Sequence, residues 1–568
     1  MSRTPALRAI RDHFRDIARA EARDTTLTEI QDDRALRAER RHAEGPPPTR
    51  RQFVMGAAAV AGAAVTWNVG RAVAQSAPRI AIVGGGIAGL SAALTLVDAG
   101  YSPTIYEAHP NRVGGRMLSE RGTRPGCGSC HSVNRTVSAT WADGQVTDVF
   151  GELIDTNHTT IRSLAERFGL GLTDLIAAHP AGSTDTYYFF GRRYPAADAQ
   201  RDFEATYRAL REDVRAAGYP TTWDDSSAAG RALDSMSVYD WIESRVRGGH
   251  GSPFGMLLDA AYAIEYGADT TDQSALNLVY MLGYSGRTFS IFGESDERYR
   301  LTGGIDLVTD AIGEYLGPES IELGWYMESI RQNAGGTYTL TFDAGGTQVV
   351  VADYVLLTVP FPVLRDLDYS QAGFDARKDL AIQTLGAAKN GKLHVQFDTR
   401  LWNGDGAWGR GNGNSYSDTG YQCTWESTRG QGGQSGILIC YTGGSVVDTL
   451  ALRHSYGNMD SAGVRTDTGD FLDRIEPVFP GISARWNGRA QESVAHLNPF
   501  FRSSYANLEP GQYQTICGYE RVRQGNVFFA GEMCSQDFQG FMEGGAVEGV
   551  RAANEILSAM RGGRGRRR

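Results

Sequence analysis

Cysteine is scarce in this chain, with six among 568 residues. That rules out a disulfide scaffold, and Cys423, Cys440, Cys517 and Cys534 stand singly, which reads as buried thiols. A positive charge excess is also missing. The formal net charge is -10, which argues against a nucleic-acid partner, because binding phosphates needs basic surface. The one basic run, 561–568, alternates arginine with glycine and reads as a tail. Long apolar runs are absent too. The only N-terminal candidate ends near Val65, is built largely of Ala and Gly, and falls short of the ~20 residues that a bilayer span needs.

That short apolar run has a context. Residues 1–45 are charged without an apolar face and end in Pro46-Pro47-Pro48. Then come the pair Arg50-Arg51, Phe53, the Ala/Gly/Val run and the small-residue site Ala72-Val73-Ala74. This order matches a twin-arginine export signal over 1–74, cleaved after Ala74. It predicts a mature protein in the periplasm or outside the cell, with the twin-arginine translocase as a partner during export.

Glycine is plentiful, 70 residues, and it clusters where it matters. The β-branched run Arg79–Val83 leads into Gly84-Gly85-Gly86-Ile87-Ala88-Gly89 and a helical stretch to Ala99. Strand, glycine turn and helix are the context a dinucleotide site requires. Gly84 suits the tight turn and Gly86 the approach of a pyrophosphate, with Ala88 beside it at the helix start. Gly89 suits close helix–strand packing, and the helix N-terminus supplies N–H donors. A second strand ends in Glu107, placed to accept ribose hydroxyls.

The run continues Arg112-Val113-Gly114-Gly115-Arg116. It resembles the flavin amine oxidase family, which includes monoamine, polyamine and L-amino-acid oxidases. The strand Gly525–Ala530 followed by Gly531-Glu532, and the segment Gln539–Glu548 opening a helix to about Ala559, resemble that family's second FAD motif and closing helix. The resemblance implies FAD, bound non-covalently because Ser504 stands where covalent members carry cysteine. It implies cofactor contacts from Arg112, Gly114, Gly115, Arg116, Gly531, Glu532, the backbone near Met327, and the helix N-terminus near Met542. It also implies a Lys392 that holds a water against flavin N5, and Tyr505 and Phe541 as aromatic faces beside the amine. Read from the residues alone, an edge lysine on solvent is the alternative for Lys392, and core packing is the alternative for either ring. Glu152 is assigned to the pocket wall, against a cationic amine or against ribose or backbone. Ile154 stands where some L-amino-acid oxidases carry a carboxylate-binding arginine, which leaves 296–300 as a substitute source of one.

The expected fold class is α/β, a Rossmann-type FAD-binding domain interleaved with an α+β substrate domain of mixed sheet plus helical region. FAD-binding segments are expected over 79–190, 296–360 and 501–560, a helical substrate region over 191–295 and the substrate sheet over 361–500. An insertion after Met117 contains Cys127-Gly128-Ser129-Cys130-His131, open to c-type haem attachment, a disulfide or plain thiols. No residues are assigned to a metal. The expected activity is oxidation of a small-molecule amine by hydride transfer to FAD, with molecular oxygen reoxidising the flavin to give hydrogen peroxide. An L-amino-acid oxidase, an amine dehydrogenase using a cytochrome, and a non-catalytic flavin-binding or maturation protein stay as alternatives, and a homodimer stays open.

Overall fold

The computed structural model describes residues 77–121 and 141–565. The export segment, the Cys127–Cys130–His131 insertion and the last three arginines lie outside the described residues.

Five parallel strands form the first sheet, in the order Ile321–Leu323, Thr104–Glu107, Ile80–Val83, Tyr354–Leu357 and Val527–Phe529. Their near-continuous apolar runs follow from burial on both faces. Ile80, Ile82, Leu356 and Phe528 pack with the helices Ile87–Asp98 and Met542–Gly565, while Ala81, Val83, Val355, Leu357, Val527 and Phe529 alternate onto the opposite face. A four-stranded sheet covers that second face, in the order Thr347–Ala352, Tyr338–Asp343, Tyr326–Gln332 and Asp368–Gln371.

The two helices approach closely because side chains are missing between them. A Cβ on Gly549 would lie 2.1 Å from the carbonyl oxygen of Ala88, and one on Gly545 would lie 2.9 Å from Ile87 Cγ2. A Cβ on Gly89 would sit 2.0 Å from Gly84 O, so the helix lies directly against the glycine turn. Both helix N-termini therefore reach the same edge of the sheet. The second helix continues to Gly565 and so takes in part of the basic run expected to be a tail.

The second layer is an eight-stranded sheet whose central strand, Asn390–Phe397, is buried throughout. Leu393, Val395 and Phe397 enter one core with the helix Ala462–Ile475. Lys392, His394 and Gln396 face the opposite way by the two-residue period. Helices between Ala196 and Leu282 cover another part of this sheet. Four of them start on a serine, Ser227, Ser237, Ser252 and Ser274, whose side chain accepts a first-turn N–H. One boundary differs from expectation. Thr184–Phe189, read as part of the first FAD segment, pairs with Gly411–Ser417 in the large sheet. Its alternating pattern defines a strand but not which sheet edge receives it.

Two glycine replacements test the helix contact. Alanine is the better helix former by about 0.8–1 kcal/mol, yet Gly549→Ala is expected to destabilise by about 1–3 kcal/mol through overpacking. Gly469→Ala, in the helix Ala462–Ile475 with nothing within 4 Å of the added Cβ, is expected to stabilise. Unfolding midpoints of the two variants check this; equal shifts would refute the close-packing account.

Candidate active site

One cavity of about 320 Å³ runs from the glycine turn of the first sheet to the face of the large sheet. Of the residues read as cofactor-binding, Gly84, Gly86, Ala88, Glu107, Gly114, Gly115, Arg116, Met327, Gly531, Glu532 and Met542 line it. Gly89 and Arg112 do not. Gly89 is spent on the helix–turn contact, and the Arg112 guanidinium turns back to donate to Val113 O and Gly115 O, at 3.1 and 2.7 Å. Arg112 thus shapes the loop that carries Gly114 and Gly115, whose φ angles of 101° and 55° favour glycine.

At the nucleotide end the geometry fits a dinucleotide. Gly84 has φ 105°, a Cβ on Gly86 would meet nothing, and the helix that follows has neither a side-chain cap nor an acidic residue in its first turn. Its first N–H groups are therefore left for an anion. Glu107 accepts N–H bonds from Gly85 at 2.6 Å and His109 at 2.7 Å, one on each oxygen, which leaves a lone pair on each for a ribose hydroxyl. Burial pushes its carboxyl up, and the two amides work against that.

Farther along, Glu532 joins three chain segments. It accepts from Arg116 Nη1 at 3.1 Å, from the Ala506 amide at 3.2 Å and from the Gly540 amide at 3.0 Å, and Arg116 also donates to Ser504 O at 2.6 Å. Ser504 Oγ, beside the cavity, is buried with no hydrogen-bond partner among the described residues, an open polar position for a bound ligand.

All four residues read as catalytic, Lys392, Tyr505, Phe541 and Glu152, line the far end. Lys392 is neither an edge lysine nor a free water donor. Its Nζ donates to Asp148 O at 2.7 Å, Phe150 O at 3.0 Å and Glu152 Oε2 at 2.7 Å, which uses all three N–H groups. Glu152 in turn accepts from Ser427 Oγ at 2.8 Å. Burial opposes the charge on Glu152, but Lys392 and then Arg300 outweigh it and hold the carboxyl down to about 2. Arg300 itself pairs with the buried Asp148 at 3.0 Å. Glu152, read as meeting an amine or else a ribose or backbone, forms an internal ion pair with Lys392 while still lining the cavity.

Trp425 and Tyr441, which no motif marked, complete the wall. Their rings meet edge-on at 5.1 Å, and the Tyr441 hydroxyl lies 3.3 Å from that of Tyr505. Phe541 packs edge-on to His158 at 5.2 Å. Arg298 and Arg300, the substitute carriers of a substrate-carboxylate contact, are bound to Asp174 and Asp148, and neither lines the cavity. Among the described residues no group of three or more His, Cys, Asp or Glu side chains is arranged to hold a metal.

The glycine turn, the paired helix N-termini and the aromatic chamber define a flavin-dependent oxidoreductase of the two-domain type. The chain belongs to the flavin containing amine oxidoreductase family, whose model matches residues 87–557. It is 22% identical over 511 residues to polyamine oxidase 6 of Oryza sativa subsp. japonica, covering 85% of this chain and 91% of that protein. It is 21% identical over 502 residues to an L-amino-acid oxidase of Demansia vestigiata, covering 85% and 87%. Among solved structures, cyclohexylamine oxidase from Brevibacterium oxydans IH-35A superposes with a TM-score of 0.69 at 20% identity, covering 85% of this chain and all of that one. Putrescine oxidase bound to putrescine superposes at 0.67 and 19% identity, covering 85% and 99%.

Two variants probe this site. Glu532→Ala removes the acceptor for Arg116, Ala506 and Gly540 and is expected to yield protein that loses FAD on gel filtration; full flavin retention would refute the role. Lys392→Met strands Glu152 and should cost about 3–5 kcal/mol in unfolding free energy, whereas adding Glu152→Gln should recover most of that loss. Absence of recovery in this double-mutant cycle would show the pair to be uncoupled.

Proposed function

We propose that this chain binds FAD non-covalently and oxidises the carbon–nitrogen bond of an amine, with molecular oxygen as the final acceptor. The observation that carries the reading is the single cavity joining a nucleotide-fitting glycine turn to a chamber lined by Lys392, Trp425, Tyr441 and Tyr505. FAD, when bound, supplies the acceptor for a hydride from the carbon that bears the amine. The substrate loses that hydride and a proton to become an imine, which water splits to a carbonyl compound and ammonia or a smaller amine. Oxygen takes up the two electrons with two protons as hydrogen peroxide.

The protein's part is binding and electrostatics. The N-termini of Ile87–Asp98 and Met542–Gly565 present N–H groups to negative charge. The Trp425, Tyr441 and Tyr505 rings exclude water, and a low-dielectric chamber favours the neutral, reactive form of an amine. Lys392 is neutralised by Glu152 at 2.7 Å, so the pair adds no net charge to the chamber wall. Non-covalent attachment is supported by Ser504 and by the state of Cys423, a cysteine lining the cavity, whose thiol burial holds well above its usual range and so keeps from acting as a nucleophile.

The twin-arginine pattern supports export and release after Ala74. Among the described residues no helix is long and apolar enough to cross a membrane.

Anaerobic titration of the purified flavoprotein with aromatic amines, polyamines and L-amino acids tests the reading. One class is expected to bleach the flavin, and air is expected to restore its colour with formation of peroxide. A flavin that no amine bleaches would point to the non-catalytic alternative, and one that air fails to reoxidise would point to a cytochrome acceptor. Acid precipitation should leave the flavin in the supernatant; colour in the pellet would refute non-covalent binding.

A further inference from the structure

A single turn behind the cavity wall holds two of the residues that line it. Asp155 to His158 connect the strand Leu153–Ile154 to the helix Thr159–Arg167. Asp155 and His158 are both buried, and neither lines the cavity. Each contacts a residue that does. The His158 ring packs edge-on against Phe541 at 5.2 Å and against Phe538 at 5.5 Å. Asp155 Oδ1 accepts the amide of Glu297 at 2.9 Å. Phe541 stands just before the last helix and Glu297 just before the strand Tyr299–Leu301, and both line the cavity.

Glu297 needs that hold, because its φ of 44° lies in the left-handed region, where a residue with a Cβ is strained. The hold on Phe541 depends on how the imidazole is turned. His158 Nδ1 accepts the Asp155 amide at 3.0 Å, so the proton of the neutral ring sits on Nε2, 3.3 Å from Asp155 Oδ2. One carboxylate thus faces both anchors. The turn is fastened on two further sides. Glu543 accepts the amides of Thr160 and Ile161, each at 2.8 Å, and Thr156 donates its amide and hydroxyl to Asp296 at 2.8 and 2.5 Å. These contacts tie residues 155–161, 296–297 and 541–543 into one unit.

No lysine or arginine pairs with Asp155 among the described residues. Around it stand Asp296 and Glu297, Glu265 in the last turn of the helix Pro253–Tyr266, Glu543 on the last helix, and His158 and Arg162 on its own segment. Arg162 is committed to Thr156 O at 2.5 Å. Burial, with a smaller push from Asp296, raises the Asp155 carboxyl to about 6 against the Ser295 side chain and the Glu297 amide. Burial also lowers His158 to about 4, against the pull of Glu543 and Asp296. On acidification the carboxyl therefore takes up a proton before the imidazole does. A neutral carboxyl is a weaker acceptor than a carboxylate, so acid loosens the hold on Glu297.

We propose that Asp155 and His158 are positioning residues for amine oxidation, fixing Glu297 and Phe541 in the chamber wall while touching neither substrate nor cofactor. The inference rests on the amine-oxidation reading and extends it to residues behind the wall. The charge on Asp155 makes the positioning depend on pH.

The test uses the full FAD-loaded protein with benzylamine, putrescine or L-phenylalanine, whichever bleaches the wild-type flavin fastest. Wild-type kcat/KM is expected to fall as the pH drops through about 6. Asp155→Asn keeps an acceptor oxygen for the Glu297 amide and removes the charge. It is expected to lower kcat/KM about tenfold near neutral pH and to abolish that acid limb. Stability should move the other way. A carboxyl raised to about 6 stabilises the fold below about pH 4 and loses that contribution as the pH rises through 6. The thermal midpoint of Asp155→Asn relative to the wild type should therefore climb between about pH 4 and pH 7. A merely structural residue would lose midpoint and activity together. His158→Asn keeps an acceptor for the Asp155 amide and deletes the ring behind Phe541. It should cost about tenfold in kcat/KM alone but little beside Phe541→Leu, because both act through one contact. An acid limb retained in Asp155→Asn, or a His158→Asn loss undiminished beside Phe541→Leu, overturns the inference. Should one variant not fold, the other decides. If the wild type is bleached and both variants match it, the inference alone fails; if no amine bleaches the wild type, the amine-oxidation reading falls with it.

Discussion

Four full charges are buried where residues 141–154 meet the large sheet, and the active chamber depends on how they are matched. Arg300 pairs with Asp148 and Lys392 with Glu152, each with almost no exposed side chain. Removing four charges from water is costly, and the pairing alone does not offset it. The remaining donors and acceptors are also satisfied: Lys392 by the carbonyls of Asp148 and Phe150, Arg300 by those of Val146 and Ser427, and Asp148 by Ser119 Oγ and the Ile305 amide. These contacts require one register of the strand Asn390–Phe397. A slip by one residue would turn Leu393 toward Arg300 and Glu152 and drive Lys392 into the apolar core against the helix Ala462–Ile475.

The nucleotide half works by the opposite means, through absent side chains. Gly84, Gly86 and Gly89 let the first helix start against the first strand, and Gly545 and Gly549 let the last helix lie against the first. Two N-termini thus converge on one cavity, and the partial positive charge of each is available to a bound anion. Glu532 then ties Arg116, Ala506 and Gly540 together at the join.

The two halves differ in charge accounting. Toward the glycine turn, unfilled N–H groups await negative charge. Toward the large sheet, both lining cations are neutralised within the protein, and burial pushes the lining carboxyls of Glu265 and Glu297 up toward their neutral form. Ile154, read as standing where a carboxylate-binding arginine could be, is buried in the core of the nucleotide-binding half and does not line the cavity, and Arg298 and Arg300 are paired with Asp174 and Asp148.

Much of this was legible in the chain itself, for reasons local to it. Strand, glycine turn and helix around Gly84–Gly89 depend on backbone conformation and neighbour spacing, so the motif carries its geometry with it. The same holds for Gly114-Gly115 and for Gly531-Glu532, and the two-residue period already set Lys392 and Leu393 on opposite faces of a strand. Local pattern did not reveal that Thr184–Phe189 joins the large sheet, that Arg112 folds back on its own loop, or that Glu152 lies 2.7 Å from a lysine 240 positions away. Nor did it mark Trp425, Tyr441, Glu265 or Glu297, which come from separate elements with no shared spacing. The sequence by itself determined the dinucleotide turn, because that rests on contacts between near neighbours, and its resemblance to a family implied FAD as the cofactor. Only the tertiary structure decided which charges neutralise each other and which face the cavity unpaired, because that depends on distances between groups the chain brings together only on folding.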